Sequence, residues 1–495
     1  MQPNNPERGG FGYGLATLQD PSWTLEQVLA ATGGTLAVAG GEGASRRAAQ
    51  TEATFRSIAT DSRTIGPGDI FLALSGERFD GLSFAAQAVG RGAAALIAER
   101  AIDPMPPVPV VLVPDTLRAL GDLAHYRRTL MGQLKVVAIT GSSGKTSTKE
   151  MTAQILALCG RTLKTQGNFN NLIGLPLSLL PVNRHHAFAV LEMGMNVPGE
   201  IARLTEIADP DVACINNIQP AHLAGLGSLA GVARAKGELF AGCRSAATLA
   251  VNLEDPLVRK LAKGCPHEQI GFGFRQGATV RATRLAALGQ EGTAFTLELA
   301  GKRARVRLRA LGRHSVLNAL AAATMSLAAG AEREEIVAGL EAFTPGENRF
   351  ALRPLGCGLK AINDSYNANP SSMRAALATV AMIRKGERTV AVLGDMLELG
   401  ESSTTAHAGV GAQVAREGFD FLCALGEFSG TMVTAAREAG MTAETARAFG
   451  SKEEAAAFLQ GLLSAGRLVP GDLVLVKGSR GMRMEQVIAL LEEVG

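Results

Sequence analysis

The stretch VVAITGSSGKTSTKEM, Val136 to Met151, holds the residues with the most specific chemistry in the chain. Gly141 and Gly144 let the backbone turn tightly, so that successive N–H groups from Gly141 through Ser142 and Ser143 can point at phosphate oxygens. The N-terminus of a following helix adds positive potential. Lys145 supplies a mobile cation for the β- and γ-phosphates, and Thr146 a hydroxyl for Mg2+. An incidental Gly-Lys-Thr at a strand–helix turn is the bland alternative. The usual loop reads G-x-x-x-x-G-K-[ST], but Ile139 stands in the first-glycine slot here and the turn is the shorter T-G-x-x-G-K-T. That form tells against ordinary GTPases and motor ATPases.

Three residues downstream could serve the same chemistry. Glu192 leaves the apolar run FAVLEMG, and a carboxylate there is costly unless it meets a cation, so it reads as a Mg2+ ligand or a helix cap. His222, in NNIQPAHL, follows another apolar run and reads as a metal or phosphate contact, although a lone histidine is more often structural. Lys236, in ARAKGELF, taken by itself is a surface helix lysine. The other histidines show no ligand spacing and read as surface or packing residues, with His314 capping or packing its helix.

A parallel sheet would bring these groups together, because catalytic residues gather at strand C-terminal ends. KVVAIT, AFAVLEMG, VACINNI and ATLAVNL are short, nearly continuous apolar runs separated by helical segments, as expected of strands covered on both faces. FTLELAGKRARVRLRAL alternates with period two and predicts an antiparallel insert whose Arg and Lys residues form a solvated face. An alanine-rich helix is expected from His314 to Ala329. The last third repeats the α/β alternation with TVAVLGD, FDFLCALG and DLVLVKGS, and a smaller α/β unit precedes the proline-rich run at 104–109. The expectation is an α/β chain of three domains, 21–103, 104–346 and 347–495. Residues 1–20 are expected to be disordered.

Length agrees, since 495 residues exceed one compact core. A net charge of +3 and 4% aromatics leave neither a broad basic field nor stacking platforms for nucleic acid. No apolar leader opens the sequence and no run of about 18 apolar residues occurs, so a cytoplasmic protein without a membrane span is expected. The six cysteines form no CxxC pair and read as buried free thiols in a reducing compartment.

TGSSGKTSTKEM, GNFNNLIG, LEMGMNVPGEI, GRHSVLNALAA, INDSYNANPSSM, VLGDMLELG and LVKGSR follow one another in an order that resembles the Mur ligases, over nearly everything after residue 20. TDSRTIGPGDIFLAL resembles the nucleotide-sugar domain of that family. Within it, the motifs are similar to the branch that adds D-alanyl-D-alanine to UDP-N-acetylmuramoyl-tripeptide. DSYNANP argues against the ligase adding the third amino acid, and the TDSR domain against folylpolyglutamate synthase. A nucleotide-gated relative without catalysis is the reading from another class.

The resemblance implies a central phosphate-binding parallel sheet with helices on both faces, a small N-terminal α/β domain and a Rossmann-like C-terminal domain. It implies ATP phosphates on the turn from Gly141 to Ser147, one Mg2+ on Thr146 and Glu192, and a second held with His222 and a carbamylated Lys236. Lys145, Glu192, His222 and Lys236 would then be the catalytic set. Asn318, Arg349, Asp364 and Tyr366 would hold the adenosine, Ser62 and Arg63 the UDP end, Asn168 and Asn171 the muramoyl part. Lys477 and Ser479 would lie near the incoming dipeptide. Where the family reads Pro-Gly-Arg, this chain reads TPGENRF, which moves the arginine to Arg349. The implied enzyme is a cytoplasmic monomer that activates a carboxylate with ATP and closes on a hinge near 343–350.

Overall fold

The computed structural model describes residues 22–37, 53–76 and 79–492. The disordered stretch expected over 1–20, and all but the ends of the Gly/Ala-rich loop expected over 36–55, lie outside the described residues.

The chain forms two compact units, Met1–Thr116 and Leu117–Gly495. In the first, Ile58–Ala59, Ile70–Leu72, Ala95–Ala98 and Val110–Leu112 pair in parallel, and Thr35–Leu36 adds an antiparallel edge. Phe71, Leu72, Leu96 and Ile97 are at most 1% exposed, so short runs suffice to make a core here. The proline-rich stretch at 104–109 is a loop between two paired strands. Leu96 pairs with Val110 across it, which carries this unit past the boundary expected at residue 103.

The second unit contains two large sheets. One has nine strands in the order Thr162–Lys164, Phe188–Glu192, Lys135–Thr140, Val212–Ile215, Thr248–Asn252, Glu268–Gly273, Val280–Ala287, Thr293–Leu299 and Lys302–Leu308. The first seven strands run parallel, and the last two pairings are antiparallel. Val136 to Ile139 are fully buried, which explains the unbroken apolar run: both faces carry helices. In the hairpin, Phe295, Leu297, Leu299, Val306 and Leu308 turn inward. Arg303, Arg305 and Arg307 alternate outward on the edge strand, and Lys302 is exposed at its start. The Arg307 N–H of that edge donates to Glu341 Oε1 at 2.9 Å, a residue of the helix Arg333–Ala342.

Lys135–Thr140 lies between Phe188–Glu192 and Val212–Ile215. The chain leaves this strand to one side and later returns on the other, so the strand's C-terminal end is a switch point, where an open parallel sheet makes its crevice.

The other sheet has six strands, ordered Ala351–Pro354, Lys360–Asp364, Leu473–Lys477, Thr389–Leu393, Phe421–Leu425 and Ala446–Phe449. All but the first pairing are parallel. All six cysteines are free, but only Cys214, Cys243 and Cys423 are buried, and Cys159 is exposed. Among the described residues no helix is long and apolar enough to cross a membrane.

Candidate active site

The phosphate turn sits at the switch point. Gly144, with φ +76°, is the position that tolerates no side chain: a Cβ there would stand 2.4 Å from Asn318 Oδ1 and 2.6 Å from Asn216 Nδ2. Two asparagines that follow the next strand hold the turn in shape. Asn216 Nδ2 donates to the Ser143 carbonyl at 2.9 Å and to Asn318 Oδ1 at 3.0 Å. Asn217 accepts the Ser142 N–H on its carbonyl at 3.1 Å and the Ser143 N–H on Oδ1 at 2.9 Å. Not every N–H of the turn is therefore turned toward a ligand, as the sequence suggested. The helix Lys145–Cys159 leaves its first-turn N–H groups without intrahelical partners, so those of Lys145, Thr146 and Ser147 remain for phosphate oxygens.

Register places Glu192 beside Ile139 at the end of the neighbouring strand. Its carboxylate is 3% exposed. Oε2 accepts from Thr146 Oγ1 at 2.7 Å and Oε1 from Asn170 Nδ2 at 2.8 Å. Arg349 reaches the same hydroxyl from the other sheet's side, with Nη2 donating to Thr146 Oγ1 at 2.8 Å. A hydroxyl and a carboxylate converging at a helix N-terminus offer the hard oxygen donors Mg2+ prefers, so these residues fit the ion.

His222 has φ +54° and places Nδ1 2.6 Å from Glu398 Oε2, a contact without hydrogen-bond alignment. Burial, with Lys145 and Lys236 nearby, lowers its pKa, while Glu398 opposes this. Lys236 is not a surface lysine: it is 1% exposed on the helix Leu229–Gly242, with no hydrogen bond or ion pair among the described residues. Burial first, then the nearby Lys145 cation, push its pKa well below the ordinary lysine value. That favours the neutral amine, the form that can add CO2. No group of three or more His, Cys, Asp or Glu that could hold a metal occurs among the described residues. A second ion at His222 would have the Glu398 carboxylate beside it, and an anionic Lys236 would add another donor. Burial likewise lowers Lys145, with Glu192 opposing and Arg349 adding to the effect. Its Nζ donates to the Gly141 carbonyl at 2.9 Å.

A cleft of about 770 Å3 contains Ser142 to Ser147, Asn168, Asn171, Glu192, His222, Asn318, Arg349, Asp364, Tyr366 and Lys477 in its lining. The expected nucleotide and muramoyl residues are thus brought to one place, with specific corrections. Asn171 Oδ1 accepts the Ile173 and Gly174 N–H groups, and its neighbour Asn170 makes the contact to Glu192. Arg349 lies 3.7 Å over the Tyr366 ring. Asp364 is ion-paired with Lys477 Nζ at 2.6 Å. Ser479 and Lys236 do not line the cleft, and Ser479 Oγ is spent on the Leu397 N–H at 2.9 Å. In the first unit, Ser62 Oγ donates to Gln87 at 2.9 Å, and Arg63 pairs with Asp61 while remaining 79% exposed.

The sequence reading missed several supports. Lys149 is 1% exposed, with Nζ donating to the Thr165 carbonyl at 2.7 Å and lying 2.9 Å from Glu150 Oε1. Thr165 Oγ1 in turn accepts the Glu192 N–H at 3.0 Å. Its signal was the spacing, one helical turn after Lys145 on a face that packs inward. His314, besides packing edge-on against Phe350 at 5.8 Å, lines the cleft.

Comparison with known proteins follows the same layout. The Mur ligase middle domain model matches residues 139–326, the Mur ligase glutamate ligase domain 348–480, and the Mur ligase family catalytic domain 54–128. The UDP-N-acetylmuramoyl-tripeptide–D-alanyl-D-alanine ligase of Escherichia coli K12 is 39% identical over 444 residues, covering 89% of this chain and 95% of that protein. The Bacillus subtilis ligase of the same name is 36% identical over 88% and 93%. The structure of MurF from Acinetobacter baumannii superimposes with a TM-score of 0.86 at 37% identity, covering 96% of this chain and all of that one. The Thermotoga maritima MurF ligase in complex with ADP gives 0.78 at 28%, covering 88% and 97%. These relatives share the three-domain α/β fold and align along nearly the full length, and the chain belongs to the Mur ligase family.

Proposed function

We propose that the protein is an ATP-dependent amide ligase that joins D-alanyl-D-alanine to UDP-N-acetylmuramoyl-tripeptide through an acyl phosphate, giving ADP and phosphate, in the making of peptidoglycan precursor. The observation that carries this reading is the run Arg349–Thr146–Glu192 at the mouth of the phosphate turn. It sits in a chain that aligns over 88–89% of its length with ligases of that name.

A carboxylate is a poor acyl donor because oxide would have to leave. Attack of the tripeptide's terminal carboxylate oxygen on the γ-phosphorus forms one P–O bond and breaks the bond to ADP. The dipeptide amine then attacks the acyl carbon, the C–O bond to phosphate breaks, and the amine loses a proton as the amide forms. The first step brings anion to anion, so charge must be neutralised and the atoms aligned. Lys145 and Arg349 supply two cations, and the first-turn N–H groups supply oriented dipoles. Asn216 and Asn217 hold the turn ready for the phosphates. Thr146 and Glu192 would hold one Mg2+, and His222 with a carbamylated Lys236 a second. Bound there, the ions would neutralise the phosphate charge. Asn318, Arg349, Asp364 and Tyr366 are read as the adenosine contacts. Asn168 and Asn171 are read as muramoyl contacts, and Ser62 and Arg63 as contacts to the UDP end. An acyl phosphate hydrolyses readily, so water must be excluded. Asn369 Nδ2 donating to the Ser142 carbonyl at 3.3 Å, together with Arg349, supports a C-terminal domain that closes over the nucleotide on a hinge near 343–350. The enzyme is read as a monomer working in the cytoplasm.

The test is phosphate release from ATP with both substrates, omitting each in turn. Release that needs both, with a pentapeptide product by mass, supports the reading, and release with neither removes it. Identical scattering profiles with and without an ATP analogue and substrates would sink the hinge.

A further inference from the structure

The incoming dipeptide is a zwitterion. Its amine must stay free to attack, so its carboxylate needs a cation of its own. This inference rests on the ligase reading above. Four Lys and Arg side chains line the cleft: Lys145, Arg349, Lys477 and Arg480. The first belongs to the phosphate turn, and Arg349 is held by Thr146 and stacked on Tyr366. Lys477 is 2% exposed and committed to Asp364 and to the Asn367 carbonyl at 2.9 Å.

Arg480 differs from all three. Its side chain is 56% exposed and has one protein partner, Glu485 Oε1 at 2.8 Å from Nη1. Glu485 opens the helix Glu485–Glu492, five residues on, so the tether aims the guanidinium without covering it. Its Nε and Nη2 carry no protein hydrogen bond among the described residues, which leaves part of the planar fork that suits a carboxylate. One exposed apolar side chain packs against the next residue of the chain. Leu397 is 47% exposed, and its Cδ1 would lie 3.0 Å from a Cβ placed at Gly481, the residue after Arg480. Ser479 fixes that leucine by accepting the Leu397 N–H. A charged fork one residue from an exposed leucine suits a carboxylate that carries a methyl group on the adjacent carbon.

We propose that Arg480, with Leu397 beside it, receives the C-terminal carboxylate and methyl of the incoming D-alanyl-D-alanine, while Lys477 and Ser479 support this subsite from behind without touching the dipeptide.

The experiment compares D-alanyl-D-alanine with its C-terminal amide on wild type, Arg480→Met and Arg480→Lys, following pentapeptide formation. Wild type should prefer the acid by roughly 10–100-fold in kcat/KM, the range of one charged, fork-like contact. In Arg480→Met the KM for D-alanyl-D-alanine should rise by a similar factor and the preference should shrink to about one, with the KM for ATP and for the UDP substrate unchanged. Arg480→Lys should recover part of the preference. A wild type indifferent to acid or amide overturns the subsite, as does an Arg480→Met enzyme that keeps the preference or shifts all three KM values together. A wild type that makes no pentapeptide from either dipeptide defeats the ligase reading itself.

Discussion

Lys236 and Lys477 are equally hidden, at 1% and 2% exposed, and they stand in opposite chemical situations. Lys477, at the end of a central strand of the six-stranded sheet, faces the Asp364 carboxylate and two backbone carbonyls. Lys236, beside the nine-stranded sheet, feels the Lys145 cation and has no compensating partner among the described residues. Burying an ion is costly unless it is paired. One lysine has that pairing and ties the ends of two neighbouring strands together. The other is pushed toward the neutral amine, and a buried neutral amine is reactive. Burial alone does not separate a structural lysine from a chemical one; the partner does.

That contrast can be broken by substitution. Lys236→Ala should lower ligation by on the order of 10^3, the scale of losing one charge-stabilising group at the reacting centre, with little change in melting temperature. Short-chain carboxylic acids should restore part of the rate. An unaffected rate would remove the carbamate. Lys477→Met should do the reverse in kind and leave Asp364 uncompensated, at a cost of about 3–5 kcal/mol in denaturant unfolding. Adding Asp364→Asn should return part of that loss, and a double variant no better than the single would mean the pair is not the source.

Lys149→Met tests a third buried lysine, one whose partners lead to the catalytic carboxylate. A loss of about 1–3 kcal/mol is expected from the abandoned Thr165 carbonyl and Glu150. Nucleotide-dependent Mg2+ affinity should weaken with it, because Thr165 orients Glu192. Unchanged metal affinity would make Lys149 a packing residue only.

The smallest effect belongs to a carboxylate in the first unit. Burial opposes ionisation of Asp69, but the Arg56 guanidinium, Ser57 Oγ and the Gly66 N–H outweigh it and lower its pKa. A depressed carboxylate contributes stability above its unfolded value, and loses it as pH falls through the folded value. Asp69→Asn should therefore lower the melting temperature at neutral pH, and the gap should close in acid below the ordinary carboxylate range. A gap constant with pH would point to lost packing instead.

How much of this could be read from the chain depended on the kind of signal. KVVAIT, VACINNI and the alternating hairpin announce themselves because a strand buried on two faces and one buried on one face need different patterns. Thr146 and Glu192 were legible for a similar reason: a Gly-Lys-Thr turn and a carboxylate leaving an apolar run are local facts. Val110–Leu112 was hidden because it is too short to declare itself without its partner strand. Asn170, Asn217, Lys149 and Arg480 were hidden because their roles are pairings across 16 to 74 residues of sequence, or openings left by a neighbour's commitment. Ser479 and Asn171 were chosen by motif. Their side chains serve the backbone, a distinction only the three-dimensional arrangement draws.

The outer strand Lys302–Leu308 has a further consequence. An unpaired strand offers its row of backbone groups to any other extended chain, and in a crowded cell the most available one belongs to a second copy or to a half-made neighbour still on the ribosome. Here the row is guarded by like-charged side chains at alternate positions, and the Arg307 N–H is already taken by Glu341. The arginines read from the sequence as a solvated face therefore also act as a fence, keeping the longest sheet in the molecule from seeding a longer one.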